Sequence, residues 1–128
     1  MARVLALVPD LLFGSRVQAA LQGAGHDVEL VSDPQRVRER FDESAQPDVL
    51  VVDLTSDEPD GVVLVRSLAD DGKLAHARTL GFFSHVDTDT RERAQQAGFD
   101  MVVPRSRMAR EGAELVTRLA EQSGPAPR

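Results

Sequence analysis

Pro47-Asp48-Val49-Leu50-Val51-Val52-Asp53-Leu54-Thr55-Ser56-Asp57-Glu58-Pro59-Asp60-Gly61 is the stretch that decides the fold. Its core, Val49-Leu50-Val51-Val52, is apolar and rich in β-branched side chains, with no polar alternation. Such a run suits a strand covered on both faces, as in a parallel sheet between two layers of helices. Asp53 ends the run. An acid at the carboxyl end of a buried central strand stands where open α/β sheets gather their ligands. Asp53 equally reads as an aspartate that closes a strand or caps a turn. The stretch alone leaves both readings open.

Working outward, the same grammar repeats. Val4-Leu5-Ala6-Leu7-Val8 is a second unbroken apolar run, a first strand ended by Pro9. Residues 11–25 carry Phe13, Val17, Ala20, Leu21 and Ala24 at helical spacing. Residues 26–31 alternate polar and apolar, as a half-exposed edge strand does. Ser32-Asp33-Pro34 opens a second helix, with Val37, Phe41 and Ala45 expected inward. A third helix is expected over 61–69, with Val62, Val65 and Leu68 or Ala69 inward, then a strand over 79–83. The helix expected over 88–98 has only Ala94 and Ala97 as clear apolar members, so its own packing holds it weakly. A last strand is expected at 99–103. The last helix runs from Ser106 to about Gln122, with Met108, Leu115, Val116 and Leu119 inward. Five strands alternating with five helices predict a parallel α/β sheet. The most apolar strands belong in its middle and the alternating one at an edge. The flavodoxin-like, doubly wound (βα)5 order 2-1-3-4-5 meets those demands.

Composition narrows the function. A chain of 128 residues suffices for one domain with its own core. The expectation is one domain over 1–122 and a disordered tail over 123–128. There is no cysteine, so disulfide and thiolate chemistry are out. No apolar stretch reaches the length of a membrane span, and the N-terminus does not read as a signal peptide, which predicts a cytoplasmic protein. The net charge of −6 and the lack of a basic stripe argue against nucleic acid as partner. The three histidines, His26, His76 and His85, read as surface residues. No Gly/Ser/Thr-rich loop follows the first strand to cradle a flavin phosphate, and no nucleophile stands beside a base. Neither a cofactor nor an enzyme is expected.

The pattern Pro-Asp, four apolar residues, Asp53-Leu54, a loop with Pro59, then Asp60-Gly61 resembles the third strand and following loop of the response-regulator receiver domain. The resemblance extends over roughly residues 3–120. It implies the flavodoxin-like fold and a place in two-component signalling, with Asp53 at the phosphoacceptor position. It also implies a hydroxyl at the end of the fourth strand and a lysine at the end of the fifth. Phe83 aligns with the hydroxyl and Ser84 adjoins it, and a one-residue slip in a strand points the neighbour to the other face. Arg105 stands in the lysine place, keeping the charge on a longer, planar, forked group. Receivers hold a magnesium ion with an acidic pair after the first strand. Here that pair aligns with Val8 and Pro9. Asp10 comes one position late, reading first as a helix cap and second as a partial metal ligand alongside Asp53.

Phosphorylating a carboxylate needs a cation to offset charge on the transferring oxygens. Without the acidic pair, the sequence favours a stand-alone, degenerate receiver (a pseudo-receiver) that acts by protein contact without phosphorylation of Asp53. The alternatives are a phosphorylatable single-domain regulator using Mg2+, with Asp53 as acceptor, and a small-ligand module using the same crevice. The expected partner is a protein, either a histidine kinase or a downstream signalling protein. The expected contact face is the fourth helix, fifth strand and fifth helix, carrying Arg91, Arg105, Arg107 and Arg110 and able to support a homodimer.

Overall fold

The computed structural model describes residues 2–122, so the expected tail over 123–128 lies outside the described residues. Five strands and five helices alternate without exception: β1 (Arg3–Leu7), α1 (Leu11–Gly23), β2 (Asp27–Val31), α2 (Pro34–Asp42), β3 (Val49–Asp53), α3 (Gly61–Asp70), β4 (Arg78–Phe83), α4 (Thr88–Ala97), β5 (Met101–Pro104) and α5 (Arg105–Ala120). All neighbouring strands pair in parallel, in the order β2-β1-β3-β4-β5. This is the flavodoxin-like arrangement that the pattern of apolar runs predicts.

Period-two alternation along each strand feeds two cores, one on each face of the sheet. Val4, Ala6 and Val8, Val49 and Val51, and Leu80 and Phe82 meet Phe13, Val17 and Leu21 of α1 and Met108, Leu115, Val116 and Leu119 of α5. Leu5, Leu7, Leu50, Val52 and Phe83 meet α2, α3 and α4 on the other face. The register sets Asp53 beside Phe82 at the carboxyl edge of the sheet. β2 lies at one edge of the sheet, with three of its five residues only partly buried, which matches its alternating sequence.

Three of the expected inward alanines face solvent instead, Ala20 and Ala24 of the first helical stretch and Ala45, while of the alternatives Leu68 and Ala69 it is Leu68 that is buried. Ala24 is the C-cap of α1, and α2 already stops at Asp42, so neither Ala24 nor Ala45 belongs to a helix. The expectation for His26 is also corrected. It is 7% exposed and lies between β1 and α5. The Ala2 N–H donates to its Nδ1 (3.2 Å), and its Nε2 lies 2.9 Å from the Thr117 hydroxyl. That hydroxyl donates to the Ala113 carbonyl (2.8 Å), so Nε2–H is the donor to Thr117. His76 and His85 are exposed.

The helix starts share one device. Asp10, Asp33, Asp60 and Asp87 cap α1, α2, α3 and α4, Asp10 and Asp60 accepting two backbone N–H groups of the first turn and Asp33 and Asp87 one each. A carboxylate there satisfies otherwise orphaned donors and offsets the positive end of the helix dipole. α5 is the exception: its cap is Pro104, which supplies no side-chain bond. Gly61, the first residue of α3, lies so close to β3 that a Cβ would collide with Val52 and with Leu54 Cδ2. A larger residue fits there only if Val52 and Leu54 give way or the helix moves off the sheet.

Candidate functional site

Asp53 closes β3 and is 7% exposed. Its Oδ1 accepts both the Thr55 N–H (2.8 Å) and the Thr55 hydroxyl (2.6 Å). An aspartate binding the N–H two residues on is a turn the chain makes with itself. Among the described residues nothing is hydrogen-bonded to Oδ2 of Asp53. Thr55 had no part in the sequence-based site, although the Asp-x-Thr spacing is the local signal for such a turn.

Asp10 holds α1. Its Oδ1 accepts from the N–H groups of Leu12 and Phe13, both at 3.1 Å, and its Oδ2 lies 3.4 Å from Arg105 Nη2. Both partners of that ion pair are about half exposed, so water screens it and its net worth is small. Arg105 is fixed more by stacking. Its guanidinium carbon sits 4.2 Å over the centroid of Phe13, whose ring packs at 5.2 Å on Phe82 in the core. Arg105 thus leans on α1 and pairs with Asp10. Among the described residues no bond joins it to Asp53.

Phe83 and Ser84 part company. Phe83 is buried in the core shared with α2, α3 and α4, whereas Ser84 is half-buried and lines a cleft of about 550 Å3. Thr55, His85, Arg105, Ser106, Phe13 and Arg16 share that cleft. The structure therefore gathers Ser84, Arg105 and the neighbour of Asp53 at one opening, with Asp10 on its flank. Arg16, at α1, is a member the sequence did not suggest. It is six residues beyond Asp10, and only the packing of α1 against α5 brings it there.

A magnesium ion fits these residues poorly. It takes oxygen ligands in octahedral order, with carboxylates supplying the charge. Val8 and Pro9 supply no side-chain oxygen where the acidic pair would be. Asp10 spends one oxygen on two N–H groups and turns the other to Arg105, and Asp53 spends one on Thr55. Among the described residues no three His, Cys, Asp or Glu side chains are grouped to hold a metal ion.

On the α4–β5–α5 face, Arg91 is exposed, and Arg107 and Arg110 both approach Glu111, at 3.5 and 3.8 Å. α4 is tied to α3 by Arg93, 3.2 Å from Asp60. Partial burial pushes the Asp60 carboxyl up. The Val63 N–H, Arg93 and the Val62 N–H outweigh it and hold the group below the usual carboxylate range.

No protein-family model matches the sequence, and no curated protein matches it. Solved structures do. The phosphorylated cyanobacterial phytochrome response regulator RcpA superposes with a TM-score of 0.81 at 13% identity, covering 98% of this chain and 99% of that one. The receiver domain of a Francisella response regulator gives 0.82 at 16% identity, covering 95% and 98%. The chemotaxis response regulator CheY4 of Vibrio cholerae gives 0.79 at 18% identity, covering 93% and 98%. Over nearly its whole length, this chain carries the fold of the response-regulator receiver domain.

Proposed function

We propose that this chain is a degenerate receiver domain of two-component signalling, which acts through protein contact without phosphorylation of Asp53. The observation that carries this reading is how the carboxylates at the carboxyl edge of the sheet are spent. Asp53 closes its own turn through Thr55, and Asp10 caps α1 and pairs with Arg105. Among the described residues no three His, Cys, Asp or Glu side chains gather to hold a divalent cation. Without one, phosphoryl oxygens and a carboxylate repel at close range. Arg105, held over Phe13 and turned to Asp10, takes a posture that needs no phosphoryl group.

The output is contact with a protein, either a kinase or a downstream signalling protein. The face offered is α4, β5 and α5, with Arg91, Arg107 and Arg110 at its surface, and a homodimer would use the same face. This reading makes the chain a cytoplasmic signalling module and not an enzyme. Intact mass after incubation with acetyl phosphate and Mg2+, beside Asp53→Asn, tests it. The expected result is no phosphoryl gain in either protein, with both giving dispersed amide NMR spectra. A gain in the parent that Asp53→Asn abolishes would replace this reading with a phosphorylatable regulator using Asp53, Ser84 and Arg105.

A further inference from the structure

We propose that the carboxyl edge of the sheet is a self-association surface, on which a second copy of this chain docks about a two-fold axis. Among the described residues four large apolar side chains are exposed: Leu11, Leu12, Val63 and Val86. All four stand at that edge. Leu11 and Leu12 open α1, Val63 is in the first turn of α3, and Val86 lies in the loop from β4 to α4. Among the described residues neither the helix flanks nor the amino edge of the sheet expose any. Single exposed apolar residues are ordinary on a protein surface, whereas a set gathered at one end marks a contact.

The fold of the single chain has no use for them there. Asp10 binds the Leu12 and Phe13 N–H groups and fixes the first turn of α1, which turns Phe13 inward and leaves Leu11 and Leu12 in water. Polar residues would serve a helix start as well. Val86 stands at the tip of a turn closed by the Asp87 N–H on the Ser84 carbonyl (2.8 Å). Turn tips favour Gly, Asn, Asp and Ser over a β-branched side chain. Val86 is 75% exposed and Leu12 70%. Apolar side chains held that far into water stabilise nothing until something covers them.

The charges around them indicate what that cover is. Arg16 lines the cleft at this edge with Thr55 and His85, and among the described residues it has no ion-pair partner. Asp57 and Glu58, close behind Thr55 in the chain, are exposed and among the described residues equally unpaired. Phe13 and His85 line the same cleft and adjoin Leu12 and Val86, so apolar side chains and both charge signs surround one opening. Such an edge supplies both sides of every contact it needs, as an isologous pair requires. A two-fold axis over the cleft sets Arg16 of each copy toward Asp57 and Glu58 of the other, with Leu12 and Val86 meeting in between. A partner of uniform charge would repel one of the two signs. Arg105, paired with Asp10, takes no part. The pair covers the opening above Asp53 and leaves the α4, β5 and α5 face free for a different protein. This goes beyond the degenerate-receiver reading, and its test reads mass in solution, so the two fail separately.

The test is sedimentation equilibrium of the whole chain, from micromolar to millimolar, in about 0.15 M salt, which screens charges beyond roughly 8 Å. The mass should rise with concentration from 13.9 kDa toward twice that, half-paired at roughly 100 µM, since a small edge supports a weak contact. Leu12→Asp and Val86→Asp should each weaken pairing about tenfold. Arg16→Glu in one variant, and Asp57→Arg with Glu58→Arg in another, should each weaken it by a similar factor, because like charges then meet. Mixed one to one, those two charge variants should pair as tightly as the parent, because each meets its opposite at both contacts. All these side chains are exposed, so the urea midpoint of each variant should stay at the parent's. Arg91→Glu, on α4, should leave pairing unchanged. A mass that stays at 13.9 kDa up to millimolar concentration would overturn the proposal. So would pairing that survives Leu12→Asp and Val86→Asp, that Arg91→Glu abolishes, or that the mixture of charge variants fails to restore.

Discussion

α4 and α5 flank the same edge strand and are built on opposite plans. α5 buries Met108, Leu115, Val116 and Leu119 against the sheet, and Thr117 adds a bond to His26. α4 buries two alanines, Ala94 and Ala97. A fully buried leucine is worth about 1.5–3 kcal/mol in area removed from water, and an alanine far less. α4 is held instead by its ends. Asp87 accepts from the Thr90 N–H (3.1 Å) and hydroxyl (2.6 Å). Gly98 turns left-handed at φ 97° to close the far end, and Arg93 reaches Asp60. A helix fixed by its middle moves with the core, while one fixed by its ends can be released by small local changes. Local opening is drawn from segments with few buried apolar contacts.

The largest expected effect breaks the α5 side. Leu115→Ala should lower the unfolding free energy by about 3 kcal/mol in urea titration, because a side chain at 0% exposure leaves a cavity that closes only in part. At α4, Gly98→Ala forces a Cβ into the left-handed region and should cost about 1 kcal/mol in the same titration. Hydrogen exchange sharpens the contrast. Gly98→Ala should speed exchange of the α4 amides and leave those of α5 near their parent rates.

Acid should separate the helices by pH window. Burial pushes the His26 imidazole below its ordinary value of 6.5, so it is neutral in the fold, with Nδ1 accepting from Ala2. Below 6.5 the unfolded chain binds a proton that the folded chain refuses. Stability should therefore fall as pH drops through 6.5 and level off below the folded value. His26→Phe should flatten that slope in urea titrations at stepped pH. Asp87 behaves in the same sense, in a more acid window. The Thr90 hydroxyl, then the Thr90 N–H, hold its carboxyl below the ordinary 3.8. Its contribution is complete above 3.8 and is lost only as pH falls through the lower folded value. The smallest effect is that of Arg93→Ala. Its exposed pair with Asp60 should change stability by about 0.5 kcal/mol or less, leaving α4 in place.

The fold was legible because burial on both faces writes unbroken apolar runs, as in Leu5-Ala6-Leu7 and Val49 to Val52, while the edge strand alternates. What failed was the reading of alanine. Its side chain is too small to report its face, so Ala20 passed for core. The site was legible where the signal is local. Asp10 before Leu11-Leu12 reads as a helix cap, and Ser84 was one of two adjacent candidates. Contacts across the chain left no such trace. Arg105 meets Asp10 and Phe13 from some ninety residues away, and nothing around His26 announces Thr117. The turn-capping reading of Asp53 is the one its bonds to Thr55 match, and the Asp-x-Thr spacing is the local signal for that partner.

Asp60 and Gly61 are part of what makes the sequence look like a phosphoacceptor domain. Yet each has a mechanical occupation: Asp60 caps α3, and Gly61 lets that helix lie against Val52 and Leu54. Selection against misfolding would preserve both in a lineage that had given up phosphotransfer. A motif of this kind can outlive the chemistry that first made it recognisable, as an inherited footing on which a different signal is built.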